Sequence, residues 1–255
     1  MLLQYYLLFP AVLGSAISTR SSKYQTRTIA GIEVPDTPLI SKALDYARKN
    51  MDDQGYNHVV RSWLTGQASI SHMSEDIQKT IDIEAYAISA ILHDLGWSIN
   101  PELISSDKRF EVDGAFTARD FLVREGGDEW DKHRIQLVWD AIALHTSRDI
   151  ALYKESEVWT TSVGILTELV GPNVTMGLFG PGKVAVKQEE WDAIAKEFPR
   201  AGFKEYFREI MRGLCMTKPA TTYTNFVGEY GERFVEGYSL EGKRTIDFLE
   251  KNILE

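Results

Sequence analysis

Apolar residues recur at helical spacing along most of the chain. In "PLISKALDYARKN", Leu39, Ala43, Tyr46 and Ala47 share one face, which predicts a first helix from position 38. Thr37 is placed to cap it, and Pro38 takes the first helical position, where no backbone N–H is needed. A second helix is predicted over residues 53–64 and a third over 82–95, closed by Gly96 with Pro101 just beyond. Asp113 is placed to cap a fourth, "GAFTARDFLVREGG", which stops at Gly126-Gly127. The fifth covers 129–145, and the sixth covers 157–170 up to Gly171-Pro172. "TMGLFGPGKVAV", with three glycines and one proline, reads as a loop. Helical periodicity resumes over 188–196, 202–215, 222–236 and 241–252. Residues 19–36 read as an extended lead-in with turns, and no convincing alternating strand or internal repeat follows. The pattern predicts an all-α fold, with one helical domain over 37–255.

The first 18 residues differ from the rest. "MLLQYYLLFPAVLGSAIS" carries no charge, and its apolar run over 5–13 is too short to span a bilayer. Gly14, Ser15, Ala16 and Ser18 follow as at a signal-peptidase site, although no basic residue precedes the run. The expectation is a cleaved signal peptide and secretion. The alternative is a short hydrophobic segment on a cytoplasmic protein.

Composition narrows the function classes. A chain of 255 residues with 44% hydrophobic and 25% charged residues is an ordinary globular protein with one sizeable core. A net charge of −9 argues against nucleic acid and anionic membranes as partners, but leaves room for a small anionic molecule in a locally basic pocket. No stable membrane span is expected in the mature chain, and oligomeric state stays open. The lone cysteine, Cys215, excludes an intramolecular disulfide and a cysteine-based metal cluster, and reads as core filler. The aromatic-rich stretch from Phe198 to Tyr230 reads as core rather than interface.

Chemistry concentrates where polar residues interrupt apolar helices. In "AISAILHDLGW", His93 and Asp94 end a strongly apolar run, and Asp94 is the only charge between Ala85 and Asn100. His58 stands among Val59, Val60, Trp63 and Leu64. Glu168 is the only charge over 158–170 and shares a face with Thr161, Gly164 and Ile165, small residues that leave space for an ion or a substrate. His145 lies with Val138, Ala141 and Ile142 on an inward face, whereas His133 falls about 120° away, nearer solvent. Each alone reads more simply as a hydrogen-bonded core residue. Together, imidazoles and carboxylates directed into one core suit zinc, iron or manganese.

The order His58, then His93-Asp94, then a later carboxylate resembles the HD-domain superfamily of metal-dependent hydrolases. "AGIEVPDTPLISKALDYAR", "AISAILHDLGW", "RFEVDGAFTARDFL" and "RIQLVWDAIALHTS" are similar to its fungal branch related to cyanamide hydratase, over about residues 28–240. The resemblance implies a compact helical bundle, here with additional C-terminal helices, and metal ligands at His58, His93, Asp94 and Glu168. The family has Asp at the last position, and Glu reaches roughly one C–C bond further, so the helix must sit back or the coordination changes. Dinuclear members carry two further histidines; His145 matches the second, while the first falls in "FEVDG", which offers only Glu111 and Asp113. One divalent metal is therefore implied, zinc foremost, with iron or manganese as alternatives.

The implied reaction is attack of metal-activated water on a small-molecule substrate, a nitrile- or cyanamide-like carbon. His145 is the first candidate for proton transfer or substrate anchoring. Glu111, Asp113, Lys108 and Arg109 form a charged loop placed to cover the site. Two other readings stand beside it. A phosphohydrolase of a nucleotide or phosphate ester needs a basic clamp, for which Arg61, Lys108, Arg109 and Arg148 are available. A degenerate HD protein that binds a ligand without catalysis is suggested by Glu in place of Asp at 168.

Overall fold

The structure, a computed structural model, describes residues 24–254. The signal-peptide expectation, residues 1–18, lies outside them. The described residues begin with a hairpin within the expected extended lead-in: β1 (Thr26–Ile29) pairs antiparallel with β2 (Ile32–Pro35), Ile29 opposite Ile32. Its turn residues Ala30 and Gly31 both have positive φ, the geometry a two-residue hairpin loop demands. Ile32 and Val34 alternate inward onto the core while Glu33 stays out.

Among the described residues, all other regular structure is helical. α1 (Pro38–Asn50) begins where Thr37 Oγ1 accepts from the N–H of Ile40, 3.1 Å. α2 (Asp53–Ser71) continues about two turns past the predicted stop, because residues 65–70, mostly polar or small, are still buried against neighbouring helices. α3 (Glu75–Lys79) is a short surface turn, and α4 (Ile83–Leu92) is buried on all sides after its first residue. A 3-10 turn, Leu95–Trp97, follows it. α5 (Phe110–Glu125) starts three residues before the predicted cap, so Glu111 and Asp113 sit in its first turn rather than in a loop. α6 (Lys132–Ala143), α7 (Arg148–Ala151) and α8 (Ser156–Val170) complete the central layer.

Part of the predicted loop after α8 folds as α9 (Pro172–Phe179), with Pro172 at its first position. α10 (Gln188–Glu197), α11 (Phe203–Thr217), α12 (Phe226–Phe234) and α13 (Thr245–Asn252) follow. Cys215 is buried and its thiol donates to the Val227 carbonyl, tying α11 to α12. α2, α4 and α8 pack on one another and, with α5 and α6, surround the main hydrophobic core. α2 and α8 approach through glycine: a Cβ on Gly164 would stand 3.1 Å from the Gly66 Cα. The space expected beside Gly164 for an ion is therefore filled by helix packing. Among the described residues, no helix is long and apolar enough to cross a membrane.

Candidate metal centre

His93 and Asp94 end α4 because the helix that carries them is apolar on every face and is driven wholly into the core. His58 lies in the second turn of α2, and its ring meets the His93 ring edge-on. Asp94 Oδ2 lies 2.9 Å from His93 Nε2 and 3.2 Å from His58 Nε2. The three side chains offer ligand atoms within 4.8 Å of one another and can hold a metal ion. Asp94 Oδ1 is buried with no hydrogen-bond partner. His145, just past α6, brings its Nε2 to 3.6 Å from that oxygen.

Each histidine is fixed from behind. His93 Nδ1 donates to the Ala90 carbonyl at 2.9 Å, and His145 Nδ1 to the Ile142 carbonyl at 2.7 Å. His58 Nδ1 donates to Glu168 Oε2 at 2.8 Å. With Nδ1 donating in every ring, the Nε2 atoms of all three face Asp94, as in metal-binding histidines whose second nitrogen is held by an acceptor. The donor set, two imidazoles and a carboxylate with an orphaned oxygen, fits a divalent cation.

Glu168 corrects the expectation of a fourth ligand. Its Oε2 holds His58, and its Oε1 accepts from Arg61 Nε at 2.6 Å and Arg200 at 2.7 Å. Both oxygens are engaged on the far side of the His58 ring. The longer side chain reaches the imidazole nitrogen that faces away from Asp94. Glu168 is thus a residue that positions His58.

The charges are set by these contacts. Burial disfavours the ionised Glu168, but His58, Arg61 and Arg200 outweigh it and hold the carboxyl down to about 2. Burial likewise opposes a charged His58, yet Glu168 and Asp94 raise it to about 8. Asp94 is held well below the usual carboxylate range, its burial overcome by His93, His58 and His145. His145 is pushed down to about 4 by burial and by His93, so it is a neutral acceptor at pH 7.

The centre lies at the inner end of a cavity of about 190 Å³. Trp97 and Phe110, stacked at 5.7 Å, line it together with Phe207 and Phe226 from α11 and α12. Ile165, Leu166 and Leu169 of α8 contribute an aliphatic wall. Ser162 and Thr146 add hydroxyls whose protons go to the His145 carbonyl and to Glu111 Oε1.

Other expected catalytic residues stand elsewhere. Lys108 is directed at Asp107 on the surface. Asp113 is buried but bound to Ser105 and to Lys218 Nζ, at 2.7 Å. Neither lines the cavity. Glu111 is buried one layer behind it, held by Arg109 and Thr146. Of the basic residues available for a clamp, Arg61 and Arg109 are spent on Glu168 and Glu111, and Arg148 alone lines the cavity. Sequence reasoning missed Arg200, Trp97, Phe207 and Phe226 as site residues. Helical spacing from His58 to Arg61 was a usable signal for the arginine; nothing local marks Arg200 in "FPRAG". The two exposed histidines, His72 and His133, take no part in the centre. Compared with models of known protein families and with curated proteins, the chain matches none.

Proposed function

We propose that the protein is a metal-dependent hydrolase or hydratase of the HD type that adds water to a small molecule with a nitrile- or cyanamide-like carbon. The observation that carries this is the trio of imidazoles, each with Nδ1–H fixed, whose Nε2 atoms converge on a carboxylate with one unpartnered oxygen. His58, His93 and Asp94 would hold the metal, zinc in the first instance. A bound divalent cation supplies Lewis acidity, which makes water a nucleophile at neutral pH.

The protein's own part follows from the geometry. The apolar walls of the cavity exclude bulk water and hold the substrate body. His145, neutral and with its Nδ1 occupied, can only accept at Nε2, so it holds a water proton there and passes it on. In hydration of a nitrile, the water oxygen bonds to the carbon as one C–N π bond opens, giving an imidic acid, and its O–H proton then moves to nitrogen as the second C–N π bond gives way to C=O. The two protons end on nitrogen, giving the amide without any redox change. A phosphate ester would need several cations around it, and the cavity offers Arg148 alone.

The test is turnover by the zinc-loaded protein. Hydration of a nitrile or of cyanamide is expected, with p-nitrophenyl phosphate left intact. His93→Ala and Asp94→Ala should each abolish turnover. Full activity in either variant, or phosphatase activity in place of hydration, would overturn the assignment.

A further inference from the structure

We infer that the cavity selects a substrate with a single flat aromatic ring between the reacting carbon and an acidic substituent, the acid being read by Arg148. The reacting-carbon part rests on the hydration proposed above; the ring and the acid rest on the cavity itself.

Size comes first. An apolar protein cavity of ~150 Å³ accommodates one benzene ring, and this one is about 190 Å³. A nitrile group on a ring adds two heavy atoms, which the remaining volume admits. Cyanamide or acetonitrile would leave most of the space empty. Wall chemistry comes second. Trp97 and Phe110 lie parallel within 4°, Phe207 meets Trp97 edge-on at 5.8 Å, and Phe226 meets Phe110 edge-on at 6.5 Å. Four aromatic side chains in one lining suit another aromatic ring, which packs by offset or edge-to-face contact. The centre at the inner end then fixes which end of the ring carries the reacting carbon.

Charge comes third. Every other arginine at the site is committed: Arg61 and Arg200 to Glu168, Arg109 to Glu111. Arg148, the first residue of α7, lines the cavity and is exposed, and its guanidinium has no hydrogen bond or ion pair with any described residue. It is the one arginine or lysine in the lining, and its exposure puts it on the solvent side of the cavity. A guanidinium free at a rim is matched by a carboxylate, which it grips with two parallel hydrogen bonds. In a protein of net charge −9 a lone basic rim also draws an anion to this opening rather than to the rest of the surface.

The experiment titrates four amides, the products of such hydration, into zinc-loaded protein by calorimetry: acetamide, benzamide, and 3- and 4-carbamoylbenzoate. Benzamide should bind at least ~30-fold more tightly than acetamide, from burial of the ring. One of the carbamoylbenzoates should gain about a further 10-fold. That second gain should vanish in Arg148→Ala and return in part in Arg148→Lys, while benzamide binding stays within about twofold in both. Equal binding of acetamide and benzamide, or a carboxylate gain that survives Arg148→Ala, would overturn the inference. Turnover of the matching nitriles separates the two proposals. Ring and carboxylate selectivity with no hydration leaves the cavity inference standing and removes the hydration reading. Hydration of acetonitrile or cyanamide with benzonitrile untouched does the reverse.

Discussion

Glu168 is fully buried, and a buried carboxylate persists only when its neighbours answer its charge. Here Arg61 and Arg200 do so on one oxygen, and His58 on the other. The arrangement makes Glu168 a lever on the candidate metal centre without being part of it. Glu168→Gln keeps the shape, removes the charge and leaves two guanidinium groups facing an amide. Zinc affinity should fall by about 10- to 100-fold, the usual effect of losing a carboxylate behind a liganding histidine; competition against a chromophoric chelator measures it, and unchanged affinity would refute the positioning role. The same contacts set a proton balance. In the metal-free protein His58, raised to about 8, is charged at pH 7, and its Nε2 proton must leave before a cation can bind. Calorimetry in buffers of different ionisation enthalpy should therefore show His58 releasing about one proton per zinc at pH 7, and clearly less in Glu168→Gln. Stability of the metal-free form follows with two opposite signs. His58 titrates near 6.5 when unfolded and about 8 when folded, so its contribution is complete below about 6.5 and is lost as pH rises through 8. His145 titrates at about 4 when folded, so the unfolded chain alone takes up a proton between about 6.5 and 4, and stability falls as pH drops through that window. Urea unfolding of chelator-treated protein should give its highest midpoint near pH 6.5. A midpoint that climbs steadily from pH 6.5 to 9 would mean that His58 is not held charged.

At the scale of elements, the centre depends on how closely α5 lies against the end of α4. A Cβ on Gly114 would stand 2.7 Å from the His93 carbonyl oxygen, and one on Gly96 would collide with the Phe110 backbone. Gly114→Ala must therefore push α5 away from the His-Asp segment. A loss of about 1–3 kcal/mol is expected, as for an overpacked core, together with weaker zinc binding because the backbone of His93 moves. Gly213→Ala on α11 is the control: an added Cβ there meets nothing within 4 Å, and it should stabilise by about 0.5–1 kcal/mol. If both variants bind zinc like the parent, the α4–α5 contact does not set the site. Legibility in the sequence divides along the same line. The starts of α1 and α4 were readable because Thr37 and Asp82 cap them with their own side chains. The start of α5 was not, because Asp113 has the chemistry of a cap but spends its carboxylate on Ser105 and Lys218, and Arg109 precedes the helix with no side-chain cap. The four-residue strands of the hairpin were too short for alternation to register, and α9 was hidden by Gly177, which sits within its last turn, and by Gly180, which closes it.

Across the whole molecule, the polar residues that interrupt apolar helices were legible as a site, because a lone charge in a buried helix needs a partner wherever the chain carries it. Their roles were not, since these depend on which nitrogen of a ring faces which neighbour. Asp113 shows the difference. Its carboxylate meets Lys218 Nζ at 2.7 Å, both groups almost wholly buried, across 105 positions of chain. Lys218 follows directly after α11, and α11 and α12 carry Phe207 and Phe226 over the cavity. The ion pair thus fastens the C-terminal helices to α5, and so closes the cavity by one strong point of attachment. Removing one partner leaves the other charge buried and unanswered, at a cost of about 3–5 kcal/mol, whereas replacing both with apolar groups is nearly neutral. Asp113→Ala should accordingly lose stability by that amount and raise KM, because the aromatic wall is no longer held, while zinc per chain stays unchanged. The double variant Asp113→Leu with Lys218→Met should recover stability and turnover together. A catalytic Asp113 gives another result: the double variant would fold as well as the parent and remain inactive, and steady-state kinetics on that one protein decides between the two.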